Sequence, residues 1–327
     1  MIGVILAALG VTGLPAVAQF PRRPPTIDRL DLMPAHVNYG QITDAAPNWP
    51  FLIAERESFF TERGIRLSKI IGGSTERTLA AGGTDLAQVN LVRLLEANAA
   101  GADLVAVAGD TMVPVYTLIV APPVKTYEDL KGKRLAVPGL TDPLNYVLLR
   151  MLAAHGLTPA DYELIAVGGA PSRLAAVQKG VAAGTLLTQP DDFRAVAGGF
   201  TDLGRSTDHV DHFQYTVTAA RRDWLRKNED SAVRFLRAYV TACRFFYDPK
   251  NWQAAVDALV KETKVDREAA LKTYVLYQQT RKTIPQHGEL DPAGARIVAE
   301  HWKEFGLKKP PPPIESVIDL AYLNAAQ

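Results

Sequence analysis

The sequence predicts an α/β protein with two lobes, each a mostly parallel sheet with helices on both faces, joined by a hinge of two crossing strands. The chain has 327 residues, more than the roughly 100–200 residues that usually share one core. From residue 30 onwards, short β-branched runs alternate with segments of helical periodicity, which is typical of parallel sheets. Two strand-like runs, 115–120 and 213–218, divide this alternation, so we interpret them as the crossings between the lobes.

The part of the chain before the first crossing alternates strands and helices. Residues 49–63 carry apolar side chains at helical spacing, and Gly64 follows them as a glycine that ends a helix. In chain order, the predicted elements are a strand at 30–37, a helix at 49–63, a strand at 65–71, a helix at 76–81, a strand at 85–89, a helix at 91–100 and a strand at 104–108.

The alternation repeats between the crossings and then gives way to helices. The predicted inner elements are strands at 134–137, 164–167, 184–187 and 200–203, with helices at 142–155, 173–179 and 191–196. After the return crossing, the predicted helices are 231–247, 252–262, 267–281, 292–305 and 314–324. We therefore expect one lobe to consist of 28–120 with 213–327 and the other of 121–212, and a ligand to bind in the cleft between them.

The first residues have the character of a secretory signal. Residues 1–14 are nearly all apolar or small, and Ala16-Val17-Ala18 fits a small-x-small cleavage site, which predicts a signal peptide over 1–18. A charged segment at the start of the signal is missing, and 19–29 is a Pro- and Arg-rich linker. No later run approaches about 20 uninterrupted apolar residues, so we expect a soluble, exported mature chain.

The composition argues against several classes of function. The formal net charge is +1, so no overall field attracts nucleic acid or an anionic membrane. The single cysteine, Cys243, allows no disulfide within the chain and no CxxC metal cluster. The histidines do not form HExxH, and we interpret His209 and His212 as residues of a solvated loop. The glycine pairs match neither a P-loop nor GxGxxG, and we expect no cofactor, no metal and no catalysis.

Polar residues that follow the predicted strands are the candidate ligand contacts. Ligands of open α/β sheets bind beyond the carboxyl ends of the strands and at helix N-termini. The candidates are Asn38, Tyr39, Trp49, Gly73, Ser74, Thr75, Gln88, Asn90 and Thr111 in the first lobe, and Thr141, Asn145, Thr188 and Gln189 in the second. Ser74 could instead cap the helix that follows it, and Trp49 could belong to the core.

The order of these motifs resembles the periplasmic type II solute-binding proteins of the taurine, alkanesulfonate, nitrate and thiamine-precursor group. The matching segments are NWPFLIA (48–54), ESFF (57–60), GI (64–65), GGS (72–74), GTDLA (83–87), DLKGKRLAV (129–137) and GLT (139–141). The likeness covers roughly residues 30–325. It implies a hinge-closing monomer in the periplasm that holds a small molecule in its cleft, performs no chemistry and delivers the ligand to an ABC permease and its ATPase.

The start of the predicted helix at 142–155 bears on the ligand class. Relatives that bind oxyanions often place Ser or Thr and free backbone N–H groups at this helix start. Here a capping Asp142 would occupy the N–H donors and repel an anion, and Pro143 removes one N–H. No arginine stands among these loops; Arg77 and Arg173 are the nearest candidates to hold an anion, and both are interpreted as charges on helix surfaces. Trp49 and Tyr39 would suit a flat, neutral or weakly charged aromatic or heterocyclic ring.

Three alternatives stay open from the sequence. The chain could bind taurine-like sulfonates or other oxyanions, as some members of the group do. It could serve as a ligand-sensing module that docks on a membrane partner, although no DNA-binding helix pair precedes residue 30. The same fold also includes a pyrimidine-precursor synthase, but its relatives carry a cysteine-rich iron motif that a chain with one cysteine does not have.

Overall fold

The computed structural model describes residues 34–280, 283–306 and 309–327, which contain two five-stranded mixed sheets. The predicted signal peptide and linker, and residues 30–33 of the first predicted strand, lie outside the described residues. The strands of the first sheet are β1 (Ala35–Gln41), β2 (Ile65–Ile71), β3 (Leu86–Asn90), β4 (Leu104–Gly109) and β10 (Thr216–Arg221). Those of the second are β5 (Tyr116–Val120), β6 (Lys133–Val137), β7 (Tyr162–Ala166), β8 (Gly184–Thr188) and β9 (Thr201–Arg205).

Each sheet has one strand that runs against the others. The first sheet has the order β2-β1-β3-β10-β4, with β1 parallel to β2 and β3 and with β10 antiparallel to both of its neighbours. The second has the order β7-β6-β8-β5-β9, with β6 parallel to β7 and β8 and with β5 antiparallel to both of its neighbours. The reversed strand of each sheet is the first one after a crossing, because the chain enters that sheet from the hinge, at the carboxyl ends of the other strands.

Helices cover both faces of the sheets. They are α1 (Trp49–Arg56), α2 (Thr75–Ala80), α3 (Leu91–Ala99), α4 (Leu144–Ala154), α5 (Ala170–Gln178), α6 (Asp191–Ala197), α7 (Arg222–Lys227), α8 (Glu229–Tyr247), α9 (Trp252–Thr263), α10 (Arg267–Thr280), α11 (Pro292–Glu300) and α12 (Ala321–Ala326). The predicted two-lobed α/β fold is confirmed. The helix predicted at 49–63 ends at Arg56, because Ser58 adopts a left-handed φ of 61° that a helix cannot continue through.

The largest apolar cluster packs α1, α8, α9 and α10 against the first sheet. Its aromatic centre is a stack in which the ring of Phe51 lies 4.7 Å from those of Tyr39 and Tyr239. A second cluster runs from the first sheet into the second, where Tyr146 of α4 stacks on Phe213 at 4.8 Å. The two sheets therefore share apolar contacts beside the hinge, which limits the directions in which the lobes can move.

Two adjacent segments, 110–115 and 206–215, form the hinge. The N–H of Tyr215 donates to the carbonyl of Thr111 at 3.0 Å. Ser206 joins the other end of the two segments: its hydroxyl donates to the carbonyl of Pro114 at 2.6 Å and accepts from the N–H of Tyr116 at 2.8 Å. These bonds hold the two crossings together, so the carboxyl edges of the two sheets face each other across the hinge.

Candidate ligand-binding cleft

A cavity of about 960 Å³ lies between the two sheets on the side of their carboxyl edges. The first-sheet wall is formed by α2, α3 and the residues that precede them, and the second-sheet wall is formed by the loop before α4. Five of the thirteen predicted ligand residues line it, namely Gly73, Ser74, Thr75, Asn90 and Thr141. Both walls therefore present residues that the strand-end rule selected from the sequence.

The first wall consists of turns that lead from a strand into a helix. Gly73 has a φ of 75°, a conformation that glycine adopts without strain, and this turn brings Ser74 and Thr75 to the cavity. Ser74 precedes α2, but its side chain does not cap the helix, so its exposed hydroxyl is available in the cavity. Asn90 does cap α3, since its Oδ1 accepts from the N–H of Val92 at 3.0 Å. Its side-chain NH₂ remains the polar group that can serve a ligand.

The second wall is the turn that begins α4. The carboxylate of Asp142 accepts from the N–H of Leu144 at 2.9 Å, which is the predicted capping role. Burial raises the pKa of Asp142 above its usual value. Across the cavity, Nη2 of Arg93 donates to the carbonyl of Thr141 at 3.0 Å, and this bond links α3 to the opposite wall.

Asn38 does not reach the cleft. Its N–H and side-chain Nδ2 donate to Oδ2 of Asp85 at 2.8 and 3.3 Å, level with the amino end of β3. The prediction placed it after the first strand because that strand was expected to end at residue 37. The strand extends to Gln41, so the position of Asn38 at a strand end was wrong.

The aromatic residues predicted to stack on a ligand lie in the core instead. Trp49 is 0% exposed, and its Nε1 donates to the carbonyl of Ala255 at 2.7 Å. Tyr39 is also fully buried, in its stack with Phe51. The interpretation of Tyr39 and Trp49 as cleft residues is corrected, because helix α1 turns its first residue towards α9 and α10 rather than towards the cavity.

Gln88 and Thr111 belong to a buried polar network behind the cavity. The Nε2 of Gln88 donates to Oδ2 of Asp110 at 2.7 Å and to Oδ1 of Asn48. The N–H of Thr111 donates to Oγ1 of Thr216 at 3.0 Å. Burial raises the pKa of Asp110 to about 7, and its hydrogen bond with Gln88 opposes this shift. These residues fix the ends of β3 and β4 at the hinge.

The remaining candidates brace the loops of the second sheet. Asn145 donates from Nδ2 to the carbonyls of Gly139 and Leu140 at 2.9 and 3.1 Å. The Nε2 of Gln189 donates to Oδ2 of Asp192 at 2.7 Å, and the hydroxyl of Thr188 donates to a hinge carbonyl at 3.3 Å. Asn145 and Gln189 are buried, so they shape the cleft rather than line it.

An arginine that packs on the second sheet was misjudged from the sequence. Arg173 was interpreted as a helix-surface charge, but it is 4% exposed. Its guanidinium donates to three neutral acceptors: Oγ1 of Thr185 at 3.0 Å, the carbonyl of Gly168 at 2.7 Å and that of Leu186 at 3.1 Å. The earlier interpretation was wrong because α5 begins at Ala170, so Arg173 lies one turn into the helix and its guanidinium packs against β8 and the loop after β7.

Two tyrosines were missed altogether. Tyr215 lines the cavity, and the ring of Tyr116 lies against it at 6.4 Å in an edge-on arrangement. Their position within the predicted crossings, 115–120 and 213–218, was the signal in the sequence that could have selected them. Tyr215 supplies the aromatic surface that the prediction had assigned to Tyr39 and Trp49, and Tyr116 packs behind it.

No group of three or more His, Cys, Asp or Glu side chains in 34–280, 283–306 and 309–327 is placed to hold a metal ion. Within the same ranges, no helix combines the length and the apolarity needed to cross a bilayer.

The model of one known protein family matches more than half of the chain. The model of the family described as NMT1/THI5 like matches residues 47–251. The chain belongs to the NMT1/THI5-like family. The resemblance to type II solute-binding proteins stated from the motifs is thereby confirmed. No match was found among curated protein sequences.

Solved structures share the fold of this NMT1/THI5-like chain at low identity. The zinc-bound ligand binding component of an ABC-type import system from Staphylococcus aureus has a TM-score of 0.74 at 14% identity, covering 89% of this chain and 99% of that one. The periplasmic aliphatic sulphonate binding protein SsuA from Escherichia coli has 0.69 at 21%, covering 88% and 92%. The periplasmic nitrate-binding protein NrtA from Synechocystis PCC 6803 has 0.69 at 15%, covering 90% and 88%.

Proposed function

We propose that this chain is an extracytoplasmic solute-binding protein that captures a small organic molecule between its lobes and delivers it to an ABC permease. The observation that supports this most directly is the cavity of about 960 Å³ between the carboxyl edges of two sheets joined by a two-segment hinge. A volume near the upper end of the usual range for small-molecule sites, about 300–1,000 Å³, suits an open cleft that closes on its ligand.

Several further properties belong to the same proposal. The chain acts in the periplasm as a monomer, partners an ABC permease with its ATPase, and releases its ligand unchanged because it performs no catalysis. We assign 28–120 and 213–327 to one lobe and 121–212 to the other. The sheets support this division for β1–β4 and β10, which form one sheet, and for β6–β9, which belong to the other. The strand β5, at the end of the segment 28–120, pairs with β8 and β9 of the second sheet. The low-identity neighbours include the ligand binding component of an import system and a periplasmic binding protein, which favours transport over catalysis.

The ligand contacts proposed for the cleft are those on the cavity walls. They are Gly73, Ser74, Thr75, Asn90 and Thr141, with Tyr215 added. The hydroxyls and the amide can serve a polar ligand, and Tyr215 with Tyr116 offers aromatic surface for a flat aromatic or heterocyclic ring. The neighbours named above carry zinc, sulphonate and nitrate in their descriptions, and at 14–21% identity none of these ligands transfers to this chain.

A binding screen with a structural readout tests the proposal. Aromatic and heterocyclic metabolites, with taurine and alkanesulfonates beside them, are screened by thermal shift, because a ligand stabilises the folded state by mass action. Each hit is then measured by small-angle X-ray scattering, and we expect the radius of gyration to fall as the lobes close. The ligand recovered after incubation should be chemically unchanged, and the liganded protein should stimulate ATP hydrolysis by the reconstituted permease.

A matched pair of variants links the hits to the cleft. Asn90→Asp keeps the oxygen that caps α3 but removes the amide donor, so ligand affinity should fall while the unfolding temperature of the free protein changes little. Asn324→Asp, at an exposed position in α12, should leave both quantities unchanged. Hits that bind both variants as tightly as the wild type, or that leave the radius of gyration constant, would count against an interlobe site.

A further inference from the structure

Asp142 lines the cleft with a carboxylate of which the protein uses one oxygen. Its Oδ1 accepts from the N–H of Leu144 at 2.9 Å, at the start of α4. In the described part of the chain, its Oδ2 accepts no hydrogen bond, and that atom is not among the buried polar atoms that lack a partner. The second oxygen of Asp142 is therefore accessible from the cavity.

The charged side chains of the cavity wall are unevenly matched. They are two arginines, Arg77 and Arg93, and three carboxylates, Glu76, Glu96 and Asp142. Arg93 pairs with Glu96 at 2.6 Å, and Arg77 approaches Glu76 at 3.9 Å. Among the described residues, this leaves Asp142 as the acid of the wall that has no cationic partner.

The start of α4 offers a ligand an acceptor rather than donors. Pro143 has no N–H, and the N–H of Leu144 already donates to Asp142. The N–H groups of Asn145 and Tyr146 donate to the carbonyls of Asp142 and Pro143 at 2.9 and 3.2 Å. An anion would meet no free N–H at these four positions, whereas Oδ2 of Asp142 can accept a charge-assisted hydrogen bond from a cationic N–H group.

Two arginines act on Asp142, and the donors of both are engaged elsewhere. The charges of Arg93 and Arg173 oppose the rise in pKa that burial imposes on Asp142. Arg93 donates to the carbonyl of Thr141 at 3.0 Å and to the carboxylate of Glu96 at 2.6 Å. The guanidinium of Arg173 donates to three neutral acceptors. Neither guanidinium occupies Oδ2 of Asp142.

Tyr215 gives the same cavity an aromatic surface. Its ring is held edge-on against that of Tyr116 at 6.4 Å. The face of a tyrosine ring carries partial negative charge and attracts an organic cation that lies within about 6 Å of its centre. The cavity wall thus combines an accessible carboxylate oxygen with a ring, and both groups favour a positively charged ligand.

We propose that Oδ2 of Asp142, with the ring of Tyr215, forms a subsite for a positively charged nitrogen of the ligand, an ammonium or amidinium group. This inference rests on the proposed solute-binding function and adds to it a class of ligand, a small organic cation. The cationic group donates to Oδ2 and supplies the partner that Asp142 lacks. An anion of the same shape would lie against the carboxylate and be repelled.

Three probes of one shape and different charge test the subsite. Benzamidine is a cation, benzamide is neutral and benzoate is an anion, and each carries a planar group of three heavy atoms on the same ring. Their affinities are measured by calorimetry for the wild type, Asp142→Asn and Asp248→Asn. Asp142→Asn keeps the oxygen that accepts from Leu144 and loses the charge.

Asp248 is the matched control, because it has the same local structure outside the cavity. Like Asp142 it precedes a proline, Pro249, and its Oδ1 accepts from the N–H of Lys250 at 2.9 Å. Asp248→Asn therefore makes the same chemical change at a helix start that does not line the cleft. It should bind all three probes as the wild type does.

We expect the wild type and Asp248→Asn to bind benzamidine at least about tenfold more tightly than benzamide, and to bind benzoate most weakly. Asp142→Asn should bind benzamidine and benzamide about equally. In the wild type, the affinity for benzamidine should fall as pH is lowered from about 7 to about 4, because protonation removes the charge of Asp142, while that for benzamide stays constant. This pH dependence tests the subsite even if Asp142→Asn does not fold.

The outcomes separate the subsite from the function. Equal affinities of the wild type for benzamidine and benzamide, an undiminished preference in Asp142→Asn, or no binding of benzamidine would overturn the cation subsite. If neutral heterocycles then still reduce the radius of gyration, the solute-binding function stands without it. Benzamidine binding that depends on Asp142, with no compaction by any compound, would retain the subsite and count against hinge closure.

Discussion

At the scale of single residues, Asp110 is the acid whose ionisation should couple to stability. It is 1% exposed, and the Nε2 of Gln88 donates to one of its oxygens. Burial raises its pKa to about 7, far above the value of about 3.9 expected in the unfolded chain. Between these values the folded state holds a proton that the unfolded state has lost, so the free energy of unfolding falls as pH rises.

The variant Asp110→Asn removes this titration and keeps the shape of the protonated acid. From pH 5 to pH 7 the wild type should lose stability relative to Asp110→Asn, by up to about 1.4 kcal/mol per pH unit. Urea denaturation of both proteins at several pH values measures the difference. A difference that stays constant across this range would mean that Asp110 is ionised in the folded protein throughout.

Single residues also differ in how well the sequence predicts whether they line the cavity. Strand ends selected Ser74 and Asn90 correctly as cavity residues, because the carboxyl edge of a parallel sheet is fixed by topology alone. Trp49 could not be placed, since the rotation of a helix about its axis decides between core and cleft. Arg173 was misjudged because its burial depends on a helix that begins three residues earlier than predicted.

At the scale of elements, the sequence located the strands better than it located their directions. The alternation of β-branched runs and helices predicted both sheets. The runs predicted as crossings, 115–120 and 213–218, coincide with β5 and overlap β10, and the hinge segments lie just before these strands. The predicted parallel arrangement holds except for these two strands, which run antiparallel to their neighbours. Local pattern carries no information about strand direction, which follows from where the chain enters each sheet.

The end of β4 is fixed by close contact with a distant segment. The N–H of Gly109 donates to the carbonyl of Gly288 at 2.8 Å, and a Cβ on Gly109 would lie 2.0 Å from the carbonyl oxygen of Glu289. Gly109→Ala should therefore lower the free energy of unfolding by about 1–3 kcal/mol or more, as expected when a core is overpacked. Chemical denaturation measures this loss.

A second glycine provides the control for that measurement. A Cβ on Gly139 meets no atom within 4 Å, so Gly139→Ala should change the free energy of unfolding by no more than about 0.5 kcal/mol. Similar values for the two variants would show that the segment around Glu289 moves away from β4 at little cost, and that the contact does not hold the C-terminal helices on the first sheet.

At the scale of the whole molecule, polar contacts between elements of the two sheets hold the two lobes at their present separation. On the outer side, Nη2 of Arg150 in α4 donates to both carboxylate oxygens of Glu304 at 3.0 Å. At the cavity, Arg93 bonds the carbonyl of Thr141. The first contact lies beside the shared apolar cluster, whereas the second bridges open space, so Arg93 is the contact that hinge opening should break first.

Arg93→Ala should therefore shift the free protein towards an open arrangement. The radius of gyration of the unliganded variant should exceed that of the wild type, because a charge-assisted hydrogen bond between the two walls is lost. The affinity for any cleft ligand should fall by about three- to tenfold, because the closed state is less populated. Arg77→Ala is the control, because it removes another arginine from the same cavity. Arg77 pairs only weakly, at 3.9 Å, with Glu76 of its own helix, so this variant should leave the radius of gyration unchanged. If scattering shows the same radius for all three proteins, the bond to Thr141 contributes nothing to closure, and the apolar cluster around Tyr146 and Phe213 alone holds the two sheets together.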